Sequence, residues 1–234
     1  PAVLLDGYAT LAADVKQAAI ATLVSRPTWT IALLDAIEAG RVPRADLTAF
    51  TVGRLAESAD AAILDRLNEV WGTSRPTPES RKKDFDGWRA ALGPEAMKAA
   101  DVGRGRAVFA KTCGTCHQLH GEGANIGPDL TGSNRGDLEY LLANLLDPSA
   151  VVGRDYQMTT LVTKDGRSLA GIVVQDTPTS LVLQTPTERL TLSLADVEER
   201  HRSPLSLMPE NQLGQLSAED ARDLVAYLRQ PGPP

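Results

Sequence analysis

The chain has 234 residues, of which 42% are hydrophobic and 23% are charged, and its formal net charge is -6. This length allows a large core and favours two domains, while the acidic balance argues against nucleic acid, whose phosphates bind clustered Lys and Arg. No apolar run is long enough to span a bilayer, so we expect no membrane span in this chain. The N-terminus lacks the features of a signal peptide, and we therefore expect a mature or excised piece.

Residues 1–75 predict a helical domain. Residues 11–25 and 28–40 repeat apolar side chains at helical spacing, and Asp46 and Asp60 are predicted to cap two further helices. Paired helices of this length resemble HEAT-type repeats, and a plain helical bundle is the alternative.

Two further segments follow. Residues 76–102 are charged and contain several prolines, which predicts a helical connector. Residues 103–234 begin and end with helical patterns, the last one capped by Ser217. One of the first patterns places apolar residues 138, 141, 142, 145 and 146 on one stripe of a helix. Between them, residues 154–203 alternate apolar and polar side chains, which predicts an antiparallel meander of four or five strands, loosely similar to an Sm-like barrel. The predicted fold class is mainly α with a β insertion.

The chain's only two cysteines, Cys113 and Cys116, stand with His117 in a C-x-x-C-H motif. Two thiols at this spacing can add to the two vinyl groups on one edge of a porphyrin. The adjacent imidazole can then bind the iron. The motif therefore predicts covalent attachment of one haem c.

Two other interpretations of the cysteine pair are open. Half of a zinc site would need two more thiolate or imidazole ligands, and only His120 and His201 remain. A thioredoxin-like redox pair would follow a strand in a βαβ pattern, which this sequence lacks.

Further residues around the motif carry a family resemblance. Gly105 and Phe109 precede it, and Gly127-Pro128-Asp129-Leu130, Met208-Pro209 and a terminal helix follow it. Residues 103–148 and 205–230 therefore resemble a class I cytochrome c. The resemblance implies that the Pro128 carbonyl accepts a hydrogen bond from His117 and that Leu130 packs on the haem. It also implies that Tyr227 and Leu224 meet Gly105 and Phe109 where the first and last helices cross.

The resemblance implies Met208 as the sixth iron ligand, because it precedes a proline and the terminal helix. Met158 and His201 are rival ligands, whereas His120 is too close to His117 to reach the opposite face. The separation of His117 and Met208 exceeds that of small class I domains by about the length of the β segment. We therefore interpret this segment as an insertion.

The whole chain is similar to the C-terminal haem-binding region of large planctomycete and verrucomicrobial membrane-bound dehydrogenase-like proteins. This resemblance implies a periplasmic electron carrier, not an enzyme, that accepts electrons from a dehydrogenase domain or another redox partner. The alternative is a haem enzyme or gas sensor with an open or labile sixth coordination position.

Overall fold

The computed structural model describes residues 1–58, 60–75 and 77–233. The chain forms two compact units, one of residues 1–76 with 149–157 and the other of residues 77–148 with 158–234. Pro76, the first residue of the predicted connector, and Pro234, the last residue of the predicted haem segment, lie outside the described residues.

Helices and strands are numbered here in chain order. The helices are α1 Ala2–Asp6, α2 Ala13–Leu23, α3 Pro27–Glu38, α4 Ala49–Ser58, α5 Ala61–Val70, α6 Glu79–Ala91, α7 Pro94–Met97, α8 Val102–Thr112, α9 Leu138–Leu146 and α10 Ala218–Leu228. The strands are β1 Gly72–Ser74, β2 Gln118–Leu119, β3 Glu122–Gly123, β4 Val151–Gly153, β5 Gln157–Thr163, β6 Ser168–Asp176, β7 Ser180–Gln184, β8 Arg189–Ser193 and β9 Val197–Ser206.

The first unit consists of α1 to α5 around one apolar core. Its large, fully buried side chains include Tyr8, Ile20, Leu33 and Leu67. The predicted cap of α5 is confirmed, since Asp60 Oδ1 accepts a hydrogen bond from the Ile63 amide at 3.0 Å. These helices follow the apolar periodicity of the sequence, and HEAT-like stacking stays a prediction.

The predicted cap at Asp46 is wrong. Asp46 ends a short 3₁₀ turn, where its carboxylate accepts a hydrogen bond from the Tyr8 hydroxyl at 3.0 Å. At the start of α4, Thr48 Oγ1 instead accepts from the Thr51 amide at 3.3 Å. Asp46 lies too far before the helix to reach its first free amides, which is the geometric requirement for an N-cap.

A short antiparallel ribbon brings residues 149–157 into the first unit, although the sequence placed them within 103–234. It pairs β1 with β4, with Thr73 opposite Val152. The ribbon is extended by a hydrogen bond from the Arg154 amide to the Trp71 carbonyl at 2.9 Å. Strands of three residues carry too little alternation to be recognised from sequence.

The second unit contains a five-stranded sheet in the order β8-β7-β6-β5-β9. The predicted antiparallel meander is confirmed for β5 to β8, and β9 lies beside β5. Burial alternates along the strands, as it does for Leu181 and Leu183 on β7. Closure into a barrel stays a prediction.

The helical core of the second unit lies between α8, α9 and α10. Its buried residues on α9 form the stripe that the sequence predicted, and they are Leu141, Leu142, Leu145 and Leu146. The predicted cap of α10 is confirmed, because Ser217 Oγ accepts a hydrogen bond from the Asp220 amide at 3.0 Å. Phe85 and Trp88 of α6 pack against the same core.

Helices α8 and α10 cross in very close contact at Gly105. A Cβ atom placed on Gly105 would lie 2.0 Å from the Asp223 carbonyl oxygen and 2.9 Å from Tyr227 Cβ. The rings of Phe109 and Tyr227 lie beside the crossing, with their centroids 5.5 Å apart. The predicted meeting of Gly105 and Phe109 with Tyr227 is therefore confirmed, and only glycine permits it.

Asp223 is a fully buried carboxylate at this crossing. Its Oδ1 accepts hydrogen bonds from the Asp101 amide and Arg222 Nε, both at 3.0 Å, and its Oδ2 pairs with Arg104. Burial by itself raises the pKa of the Asp223 carboxyl, but the hydrogen bonds from Arg104 and Asp101 outweigh it and hold that pKa below its ordinary value. The ionised carboxylate thus joins the start of α8 to α10.

We predict that Gly105→Ala destabilises the second unit by about 1–3 kcal/mol, because backbone has to move to admit the methyl group. Gly87→Ala is the control, since nothing lies within 4 Å of a Cβ atom at this exposed position of α6. It should stabilise the protein by up to about 1 kcal/mol through helix propensity. Thermal and denaturant unfolding measure both changes, and equal effects of the two variants would contradict the close crossing.

We also predict that Asp223→Asn lowers the Tm by a few degrees at neutral pH. A carboxyl whose pKa is lowered by folding contributes stability above its unfolded-state pKa of about 4, and that contribution is lost as the pH falls through the folded-state value. The difference between variant and wild type should therefore shrink in acid. Glu219→Gln is the control, since this exposed carboxylate pairs with the same Arg104 at 2.7 Å and should matter little. A difference in Tm that is constant with pH would refute the ionic role.

Candidate haem-attachment site

The cysteine motif continues α8 by one further turn. The amides of Cys116 and His117 donate hydrogen bonds to the Cys113 carbonyl at 3.0 and 2.8 Å. The Cys113 amide in turn donates to the Phe109 carbonyl at 2.8 Å. The position of both cysteines is therefore set by α8, which the crossing with α10 holds in place.

Cys113 and Cys116 are each partly exposed, and no disulfide joins them. Burial raises the pKa of the Cys113 thiol, against a smaller opposing effect of its contact with Thr112 Oγ1 at 3.3 Å. Redox-active cysteine pairs instead gain a lowered pKa at the N-terminus of a helix, whereas Cys113 follows the C-terminus of α8. The local structure thus disfavours the thioredoxin-like interpretation.

His117 Nδ1 lies 2.9 Å from the Pro128 carbonyl oxygen, as the resemblance implied. Because a carbonyl can only accept, Nδ1 carries the proton, and the lone pair of the neutral ring is on Nε2. This hydrogen bond fixes the tautomer and orientation of the ring and makes Nε2 a better metal ligand.

The loop that carries Pro128 is tied directly to the motif. The amides of Ile126 and Gly127 donate to the Cys116 carbonyl at 2.9 and 2.8 Å, and the Leu130 amide donates to the Gln118 carbonyl at 2.8 Å. A Cβ atom on Gly127 would lie 2.5 Å from His117 Cε1, so glycine is needed for the loop to lie against the imidazole. The sequence contained Gly127 in its Gly-Pro-x-Leu motif, but its steric role became evident only in the structure.

Apolar side chains next to the motif belong to the helical core. Cys113, Leu130 and Met208 are each partly exposed and pack against the buried cluster that contains Phe109 and Tyr227. The structure thereby brings five of the predicted site residues, Phe109, Cys113, Leu130, Met208 and Tyr227, onto one core from four separate segments of the chain.

The rival sixth ligands lie elsewhere. His201 is exposed on β9, and Met158 is partly buried on β5 without belonging to the helical core. His120 has a left-handed backbone with φ of 53°, and its buried Nε2 has no hydrogen-bond partner in the described structure. Among the residues that the structure describes, no three His, Cys, Asp or Glu side chains converge as a metal-ion site.

Arg135 is a buried residue that the sequence analysis did not single out. Its guanidinium donates to the Leu228 carbonyl at 2.8 Å and also to the Gln230 carbonyl. It thus satisfies free carbonyls at the C-terminus of α10 and fixes the loop after Leu130 to that helix. A single Arg after a loop motif carries no sequence signal for this role.

We predict that Gly127→Ala displaces the His117 ring from the Pro128 carbonyl. In the protein without haem, the imidazole ¹⁵N chemical shifts should then change from one fixed tautomer toward a mixture, because the Nδ1 proton loses its acceptor. Gly132→Ala is the control, since nothing lies within 4 Å of a Cβ atom at that position of the same loop. Unchanged ¹⁵N shifts in Gly127→Ala would show that the ring does not depend on this contact.

Free thiols, a ligand imidazole with a fixed tautomer and an adjoining apolar wall are together the groups that covalent haem attachment requires. In the part of the chain that the structure describes, no helix is long and apolar enough to cross a membrane. A search of curated proteins found no match. The cytochrome c family model matches residues 102–231, which is more than half of the chain. The chain belongs to the cytochrome c family, whose members bind haem c covalently and transfer electrons.

Proposed function

We propose that this protein is an electron carrier that holds one haem c through Cys113, Cys116 and His117. The observation that carries the proposal is the hydrogen bond from His117 Nδ1 to the Pro128 carbonyl, which puts the proton on Nδ1 and the lone pair on Nε2, in the same turn as Cys113 and Cys116. When bound, the haem supplies a one-electron Fe(III)/Fe(II) couple. The given sequence contains no other cysteine, which supports a single attachment site in it.

Met208 is the proposed second axial ligand. It packs against the same core as Cys113 and Leu130, whereas the rival His201 is exposed on β9. A thioether ligand favours the ferrous state and raises the reduction potential relative to a second imidazole. Leu130 and Phe109 keep water away from this region, which further stabilises the less charged form of the site.

We propose further that the protein acts outside the cytoplasmic membrane, where bacterial haem c attachment takes place. Its partner is a dehydrogenase domain or another redox protein, as in the planctomycete-type proteins that the sequence resembles. In this proposal the first unit is a HEAT-like scaffold that presents the haem unit to its partner. A haem enzyme or gas sensor would instead need an open coordination position.

Attachment is tested by producing the chain in a host that matures c-type cytochromes. Acid-acetone extraction should leave the pigment on the chain, and the mass should exceed that of the polypeptide by one haem. Cys113→Ala and Cys116→Ala should each weaken attachment, and the double variant should release all pigment. Pigment that extracts from the wild type would refute covalent attachment.

We predict that Met208→Ala abolishes the near-infrared absorption band of the thioether-bound ferric protein. It should also tighten cyanide binding at least about tenfold and lower the reduction potential, because the iron loses its neutral sulfur ligand. Met158→Ala is the control and should behave as the wild type. A wild-type protein that binds cyanide rapidly and tightly, without the near-infrared band, would favour the enzyme or sensor instead.

A further inference from the structure

Helix α6 precedes the part of the chain that matches the cytochrome c family, yet it belongs to the second unit, which contains the haem-attachment motif. The family match begins at residue 102, whereas the compact second unit begins at residue 77. Phe85 and Trp88 of α6 pack against the helical core next to α9. Helix α6 therefore packs on the helical core from outside the matched region. Its contacts indicate which part of the site it supports.

Arg81 of α6 joins the end of α9 to the loop after Met208. Its Nη1 donates to the Leu146 carbonyl at 2.9 Å, and its Nη2 forms an ion pair with Glu210. Leu146 is the last residue of α9, so its carbonyl has no acceptor role within the helix and favours a cationic donor. One guanidinium thus holds both partners in its planar fork.

Met208 lies in the loop of residues 207–212, called the methionine loop below. The same end of α9 also binds this loop through backbone hydrogen bonds. The amides of Asn211 and Gln212 donate to the Leu146 and Leu145 carbonyls at 3.1 and 2.8 Å. On the other side of Met208, its own amide donates to Ser206 Oγ at 3.1 Å. Met208 therefore sits between two anchored points, and Arg81 strengthens the second one.

The space beside the Arg81 bridge is not filled by packed side chains. A cavity of about 330 Å³ lies there, lined by residues that include Asp84, Phe85 and Asn211. Pro209 also restricts the backbone of Met208 to extended conformations, so a displacement at Glu210 is passed on to Met208. The bridge therefore borders open space, and at this point the loop is held by Arg81 and by the backbone hydrogen bonds to the end of α9.

We propose that Arg81 is a positioning residue that holds Met208 in place through Glu210 and the end of α9. The inference rests on the proposed ligation by Met208. A neutral thioether is a weak ligand for ferric iron, so its binding depends on how firmly the loop presents it. Loss of the bridge releases the loop and lets stronger external ligands compete.

The test uses the haem-loaded protein and two spectroscopic measurements. These are the pH at which the ferric near-infrared band disappears and the binding constant for cyanide. Arg81→Ala should bind cyanide about tenfold more tightly and lose the band at lower pH. Arg81→Lys should recover part of the effect, because a single ammonium replaces the fork.

Arg89→Ala is the matched control. Arg89 also lies on α6 and also pairs with α9, but in the described structure its guanidinium binds Glu139 and Asp86 rather than the methionine loop. It should stay within about twofold of the wild type, although it too loses an ion pair between the same helices. If Arg81→Ala and Arg89→Ala change cyanide binding and the near-infrared band equally, the effect comes from the packing of α6 on α9 and the proposal is overturned.

A double-mutant cycle identifies the coupling. Glu210→Gln should shift cyanide binding in the same direction as Arg81→Ala but by less, and the double variant should add nothing to Arg81→Ala alone. Glu210→Gln also carries the test if Arg81→Ala does not fold. Additive effects would overturn the proposed coupling, whereas a wild type without the near-infrared band would refute ligation by Met208 and this inference with it.

Discussion

Helices α8 and α10 touch backbone to backbone at Gly105, and the position of the haem site depends on this crossing. A side chain at Gly105 would collide with the Asp223 carbonyl 2.0 Å from its Cβ. The buried Asp223 carboxylate of α10 also holds the two helices together, because it accepts hydrogen bonds from Asp101 and Arg104 at the start of α8. Since Cys113 follows directly from α8, this crossing determines where both thiols lie relative to the core.

A second constraint acts on the imidazole. Backbone hydrogen bonds to the Cys116 carbonyl tie the Gly127-Pro128 loop to the motif, and the Pro128 carbonyl accepts a hydrogen bond from His117 Nδ1. The motif and this loop therefore both hold the imidazole. Such fixed geometry suits electron transfer, in which a site should rearrange little between its two oxidation states. The loop needs glycine where it meets the ring, because a Cβ atom there would lie 2.5 Å from His117 Cε1.

Two elements accompany the helical core of the second unit: α6 lies before the matched region, and the five-stranded sheet lies within it. Helix α6 adds apolar surface to the core and contributes Arg81 to the methionine loop, while the five-stranded sheet lies between α9 and that loop along the chain. The methionine loop therefore begins where β9 ends, and hydrogen bonds join it to the C-terminus of α9. Met208, the proposed sixth ligand, is therefore connected to β9 before it and to the end of α9 after it.

The sequence by itself determined the motif residues, the helical stripe of α9, the caps at Asp60 and Ser217 and the alternation of the inserted strands. These features are local, because each depends on residue types at a fixed spacing along one segment. Only the tertiary structure decided that Thr48 rather than Asp46 caps α4, that β4 joins the first unit, and that Arg81, Arg135 and Asp223 bridge separate segments. Asp46 instead accepts a hydrogen bond from the distant Tyr8 hydroxyl. The other features likewise depend on which distant groups come within hydrogen-bonding distance, and no single stretch of sequence carries that information.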